Sequence, residues 1–299
     1  MFKKIAITTV ATLYAGTVFA QSMPVGFYAD GNLQAEYVST TSDDYTFGIA
    51  DITLGYSGAG AGSMPLGIEL SLFTIQGDPV DFDPHVTGSI FYDSSYGRFS
   101  VGLPGAALAD YVAVPKFGNS KVIGLEYGIP FGSMLDLYFK TGDAPYDYGV
   151  RFDGMVGGAD VGLSYHQIDG DDYAISGGVS YAVNNTYTVA AGFEAINGGS
   201  TESGIFTSVA AEYGTFGGLL NISSPIGTDD LFYSIEASYN VSDDLVLTAG
   251  YVNTGENIYT FDAQYRFMEN AYVGASVLGS NGSDSIYTAY VGWDINYGG

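Results

Sequence analysis

The sequence predicts an all-β chain folded as one closed, antiparallel, up-and-down transmembrane barrel of roughly 16–18 strands. Three observations carry this. Segments about ten residues long alternate apolar and polar side chains. The connections between them alternate between tight and long. The chain has a mean hydropathy of +0.15 but no long apolar run after its first twenty residues.

The N-terminus reads first. "MFKKIAITTVATLYAGTVFAQS" has a basic start at Lys3 and Lys4, an apolar stretch from Ile5 to Val18, and small residues before Gln21. This is the pattern of a secretory signal peptide over 1–20, cut after Ala20, which leaves 21–299 as a single domain. The apolar stretch is too short to span a bilayer comfortably. The mature chain then carries six basic residues (Arg98, Lys116, Lys121, Lys140, Arg151 and Arg266) against 33 acidic ones. So acidic a chain repels nucleic acid, and no DNA or RNA partner is expected. The absence of cysteine excludes thiol catalysis and thiolate-bound zinc.

The strands follow in order. In "VGFYADGNLQAEYV", Val25, Phe27, Ala29, Leu33, Ala35 and Tyr37 share one parity, and Tyr28, Asp30, Asn32, Gln34 and Glu36 share the other. Side chains alternate between faces along a strand, so each parity is one face. "YGRFSVGL" sets Arg98 against Phe99, Val101 and Leu103. "SMLDLYFK" reads as a strand with Leu135, Leu137 and Phe139 opposing Asp136, Tyr138 and Lys140. "YDYGVRFDG" opposes Tyr146, Tyr148, Val150 and Phe152 to Asp147, Arg151 and Asp153. "LFYSIEASYN" repeats the scheme around Glu236, and "NIYTFDAQYRF" opposes five Tyr, Phe and Ala side chains to Asp262, Gln264 and Arg266.

Tight turns are expected at 93–97, 130–133, 157–159, 183–186, 213–217, 240–244 and 268–270. Longer, acidic or Gly-rich loops are expected at 76–85, 141–145, 169–172, 197–203, 223–230, 253–257 and 279–284. Short periplasmic turns at one rim and loops at the other are the layout of an outer-membrane barrel. Such a barrel turns apolar faces to lipid and polar faces to its lumen. A β-sandwich would need several domains with linkers, and edges rich in Lys. Lipid excludes open edges, so a spanning sheet has to close. Aromatic residues beside turns, among them Tyr213, Phe216, Tyr239, Phe267, Trp293 and Tyr297, fit an interfacial girdle.

Over its whole mature length the chain resembles a Gram-negative general diffusion porin of the alphaproteobacterial type. The resemblance rests on the first strand directly behind the leader, on "YGRFSVGL" (96–103), and on the irregular "PGAALADYVAVPKFGNS" (104–120), which corresponds to an inward-folded third loop. "PKFG" (115–118) is similar to a Pro-acid-Phe-Gly turn of the family, with Lys116 in place of the acid. The chain departs from the family in a short third loop, which implies a wider constriction, and in ending "WDINYGG" and not on an aromatic residue.

The resemblance implies a homotrimer in the outer membrane whose water-filled channels pass small hydrophilic solutes and ions by passive diffusion. It also implies basic wall residues facing acids on the inward loop. The pore-lining candidates are then Arg98, Lys140, Arg151 and Arg266 on the wall with Lys116 beside the loop turn, Asp110 on the loop, and Asp147, Asp153 and Asp262 on the wall. The lipid penalty on Arg and Lys by itself sorts these cations inward. Net acidity predicts weak cation selectivity, screened over about 8 Å at physiological salt.

The rival reading is a channel specific for a sugar or another solute, with inward Tyr28 and Tyr138 contributing an aromatic slide. No cofactor is expected. Asp78, Asp81, Asp83 and His85 in the loop "GDPVDFDPH" are a candidate for Ca²⁺ or for bridging to lipopolysaccharide, although the spacing matches no defined calcium loop. An enzyme is not expected: Ser164 and His166 share a face, but no third group is visible to orient the imidazole.

Overall fold

Sixteen strands, counted among the described residues, close into one barrel in which every strand is antiparallel to both neighbours and β1 pairs with both β2 and β16. The computed structural model describes residues 26–58, 65–77, 82–116, 118–121, 123–124, 129–141, 148–168, 170–198, 200–281 and 283–298. The leader expected at 1–20 lies outside them. In chain order the strands are β1 (Gly26–Ser39), β2 (Asp44–Ser57), β3 (Leu66–Gln76), β4 (Phe82–Ser94), β5 (Gly97–Gly102), β6 (Tyr148–Val156), β7 (Ala159–Gln167) and β8 (Tyr173–Ala182). The second half comprises β9 (Tyr187–Gly198), β10 (Ser200–Tyr213), β11 (Phe216–Ser224), β12 (Phe232–Asn240), β13 (Leu245–Asn253), β14 (Asn257–Arg266), β15 (Ala271–Ser280) and β16 (Ser283–Tyr297).

The barrel inverts the polarity of a soluble protein. On β14, Tyr259, Phe261 and Tyr265 are about half exposed on the outer surface, while Thr260 and Asp262 are buried inside. On β12, Tyr233, Ile235 and Tyr239 face out, and Ser234, Glu236 and Ser238 face in. The same parity holds for Leu33, Ala35 and Tyr37 against Gln34 and Glu36 on β1. An apolar surface this extensive is stable only against lipid. Closure leaves no strand edge, as hydrocarbon requires.

The start of β1 and the end of β16 meet at one rim, where Ala29 pairs with Tyr297. The tight connections at 95–96, 157–158 and 214–215 lie on that rim. The opposite rim carries the connections 77–81, 168–172, 225–231 and 254–256 and one much longer segment, 103–147, between β5 and β6. This segment revises the sequence reading in three places. The third loop is not short. The tight turn expected at 130–133 is a 3-10 turn (Ile129–Phe131) within it, and the strand expected at 134–140 is a helix.

The helix has local causes. Ser133 accepts the Asp136 N–H at 2.9 Å, an N-cap bond in a Ser-x-x-Asp setting, and Met134, Leu135 and Leu137 are good helix formers. Alternation of apolar residues over eight positions also fits a helix when i and i+4 are both apolar, as at Leu135 and Phe139. The helices of this segment are α1 (Ala107–Tyr111) and α2 (Met134–Thr141), with a further helical turn beginning at Lys121.

Candidate constriction site

The long segment folds into the lumen because the wall is built to receive it. Helix α1 sets its N-terminus on two wall hydroxyls: Ala107 N–H donates to Ser164 Oγ at 3.1 Å and Leu108 N–H to Ser176 Oγ at 2.8 Å. These satisfy donors that a helix start leaves unpaired. Beneath the helix lie Gly162, Gly178 and Gly192, cross-strand neighbours on β7, β8 and β9. A methyl on Gly162 or Gly178 would run into Tyr111, and one on Gly192 into Leu108 and Val112. The three glycines make a flat shelf on which α1 rests. Tyr111 Oη donates to Asp153 Oδ1 and to the Val161 carbonyl, both at 2.9 Å. Burial, and then the neighbouring Asp153 charge, push the Tyr111 phenol well above its ordinary range, so it stays a donor.

From α1 the chain runs around the inside of the barrel. Val112 joins Leu108 and Phe206 in an apolar cluster. Lys116 N–H donates to Glu236 Oε2 at 3.2 Å. Gly118, at φ +84, lies against Asp262, where a side chain would clash with the carboxylate. The Asn119 carbonyl accepts from Gln34 Nε2 at 3.1 Å, and Ser120 Oγ donates to Glu36. The return limb buries Ile123 and Phe131 against Val252, Ile258 and Leu278. Leu135 sinks between Ala106 and Ala174, and α2 ends beside β3 and β4.

This circuit leaves a polar cavity of about 270 Å³ between the loop and the β2–β6 wall. Asp51, Glu69 and Ser71 line it from the wall, and Asp110 and Asp136 from the loop, with Arg151 at its edge. Tyr28 Oη donates to Glu69 at 2.8 Å. Arg151 is buried and committed. Its Nε and Nη2 donate to Asp153 at 2.7–3.0 Å, Nη1 donates to the Gly105 carbonyl at 3.2 Å, and Nη2 is also ion-paired with Asp110.

Of the residues expected to line a pore, the structure brings together Arg151, Asp153 and Asp110. Arg98 and Arg266 do face inward, but beside the tight-turn rim and away from the loop. Arg98 is paired with Asp93 at 2.7 and 2.9 Å and stacks on Phe91, and Arg266 is paired with Asp294 at 2.9 Å. The wall therefore does not set these two bases against loop acids. An acid lies within reach of each on a nearby strand, Asp93 on β4 for Arg98 of β5 and Asp294 on β16 for Arg266 of β14, and pairing there removes the cost of an isolated buried charge. Asp262 is sealed, accepting from Tyr290 at 2.7 Å and Ser276 at 2.6 Å under the loop. Lys116 lies on the loop with its backbone on Glu236. Lys140 belongs to α2 and not to a wall strand, as does Tyr138; the Lys140 side chain, Asp147, Asp78 and Asp81 lie outside the described residues.

The sequence reading missed Asp51, Glu69 and Asp136. The first two were legible as single acids on the inward parity of "FGIADITLGY" and "LGIELSLF", and the third as the acid of the Ser133 capping pattern. Ser164 seats α1 and His166 is fully buried, so that pair forms no exposed nucleophile and base.

No protein-family model matches this sequence, and no curated protein matches it. Solved structures do. A triple mutant of Rhodopseudomonas blastica porin superposes with a TM-score of 0.72 at 16% identity, covering 90% of this chain and 100% of the other. Two further mutants of that porin give 0.71 and 0.69 at 15% identity with the same coverage. The fold is that of a bacterial porin. The porin fold accounts for the strand number and for the closure between β1 and β16. At this identity the side chains that face the passage have to be read from this chain alone.

Proposed function

We propose that the protein is an outer-membrane channel through which small hydrophilic solutes and ions diffuse passively, with a preference for cations. One observation carries the reading: Asp51 and Glu69 on the wall face a passage that Asp110 and Asp136 enter from the loop, while Arg151 is neutralised by two carboxylates. Carboxylates in a narrow, wet constriction raise local cation concentration. The barrel acts in a membrane after removal of the leader at 1–20, as a homotrimer, with lipid and lipopolysaccharide around its outer face and no catalytic step. The experiment is a planar-bilayer recording of the refolded mature chain in a salt gradient. A reversal potential of cationic sign supports the reading, and one of anionic sign refutes it. Saturable block by one sugar would instead mark a solute-specific channel.

A further inference from the structure

We propose that Glu36 on β1 and Glu194 on β9 are positioning residues that set the width of the passage, each by holding the start of one loop helix. The inference rests on the channel reading above and adds the device that fixes its bore.

The two glutamates repeat one arrangement. Ser120 Oγ donates to Glu36 and accepts the Ile123 N–H at 3.2 Å, while Lys121 N–H donates to Glu36 Oε2 at 3.0 Å. Ser133 Oγ donates to Glu194 Oε2 at 2.5 Å and accepts the Asp136 N–H at 2.9 Å, while Leu135 N–H donates to Glu194 Oε1 at 3.0 Å. In each case a serine caps a loop helix, and one wall carboxylate takes both the serine proton and a first-turn N–H. A helix start offers unpaired donors and a partial positive charge, which suit a carboxylate. The two glutamates are 1% and 0% exposed, so each carboxylate needs donors as the helix needs the acceptor; Glu36 Oε2 takes one from Gln34 Nε2 on its own strand at 3.1 Å, and the loop supplies the others.

Their placement gives the arrangement its consequence. Strands β1 and β9 lie on opposite sides of a sixteen-strand ring, so the loop is pinned at two opposed points. The Glu194 contact is also bonded directly to the passage: Ser133 holds Glu194 on one side and the Asp136 backbone on the other. Movement at Glu194 moves a carboxylate that lines the passage. Glu36 holds the far turn of the loop and keeps the return limb against the wall. Apolar burial of Ile123, Phe131 and Leu135 holds the loop to the wall but is non-directional. The two glutamates fix where along the wall it sits.

The test compares the mature wild type with Glu36→Ala, Glu194→Ala, the double variant, the Gln variants, and the loop-side pair Ser120→Ala with Ser133→Ala, each refolded and checked for a closed barrel by its heat-dependent gel mobility. The double variant is expected to show higher single-channel conductance and a larger solute cutoff. Glu194→Ala is expected to shift the reversal potential as Asp136 moves, and Glu36→Ala to leave it near wild type. Gln, which keeps one acceptor oxygen, should restore most of the wild-type behaviour. Wild-type conductance, cutoff and reversal potential in a folded double variant would overturn the proposal. Should the Glu variants not fold, the serine pair decides in the same way, because it leaves the wall intact. A folded wild type that carries no current removes the channel reading and with it the role in passage width; protease cleavage within 103–147, absent in the wild type and present in the double variant, still tests the holding role by itself.

Discussion

Arg151 of β6 is ion-paired with Asp110 of the inward loop, and this contact ties wall to loop at the edge of the passage. The two sides of the pair are not equivalent. Arg151 is buried with Asp153 and bridges it to the loop, whereas the Asp110 side chain is 37% exposed. Arg151→Ala strands Asp153 as a buried, unmatched carboxylate, and the expected loss is about 3–5 kcal/mol, the usual cost of breaking a buried pair from one side. Asp110→Asn leaves Arg151 and Asp153 together and is expected to cost under about 1 kcal/mol, as for a partly hydrated pair. Urea unfolding of the barrel in detergent, run on both variants, measures the difference. Equal losses would show that the loop carboxylate carries the pair.

The shelf of Gly162, Gly178 and Gly192 predicts a second asymmetry. Gly178→Val places a branched side chain where Tyr111, the last residue of α1, now lies, and the overpacking is expected to cost about 1–3 kcal/mol or to lift α1 from the wall. At Gly218, also on a strand, the nearest atom to where a Cβ would stand is 3.8 Å away, so Gly218→Ala should be nearly silent. Protease sensitivity at 104–116 reports on the seat of α1. A Gly178→Val chain as resistant as the wild type would mean that the glycines do not determine that seat.

How much of this was legible in the sequence follows from which force writes each feature. Lipid outside and water inside impose a period of two, so Tyr259, Phe261 and Tyr265 against Asp262 could be assigned to faces by parity alone. The segment 134–141 misled because Leu135 and Phe139 satisfy both periods while Leu137 completes the strand-like alternation, and the Ser133–Asp136 cap that decides for helix is a weaker mark. The parity of Arg98 and Arg266 was legible, but their partners were not: Asp93 is a turn neighbour, and Asp294 is brought near Arg266 only by barrel register. The glycine shelf leaves almost no trace in one sequence. Its three members are 14 to 16 residues apart and become a surface only once β7, β8 and β9 are aligned.

The outer face makes a third prediction. Phe261 is 48% exposed near the middle of β14, where lipid would cover it. Phe261→Arg is expected to cost about 2–4 kcal/mol of stability in a bilayer, the range for a cation at mid-depth on a lipid-facing strand. The same change at Thr53, which lines the passage, should leave stability closer to wild type and lower conductance to cations. Reversible unfolding from lipid vesicles separates the two. An equal loss at both positions would contradict the assignment of faces.

The acid balance of the passage makes the fourth. Asp51→Asn with Glu69→Gln removes two wall charges while keeping side-chain size, and the new amide on β3 would still accept the Tyr28 hydroxyl through its carbonyl oxygen. The field that enriches cations comes from several carboxylates on both sides, so the double change is expected to move the reversal potential toward zero without altering the bore. The shift should be largest in dilute salt. The screening length is about 30 Å at 0.01 M and about 3 Å at 1 M, so at high salt wild type and variant should converge. If the reversal potential of the double variant matched wild type in dilute salt, selectivity would have to come from charges at the barrel mouths and not from the passage between Glu69 and Asp136.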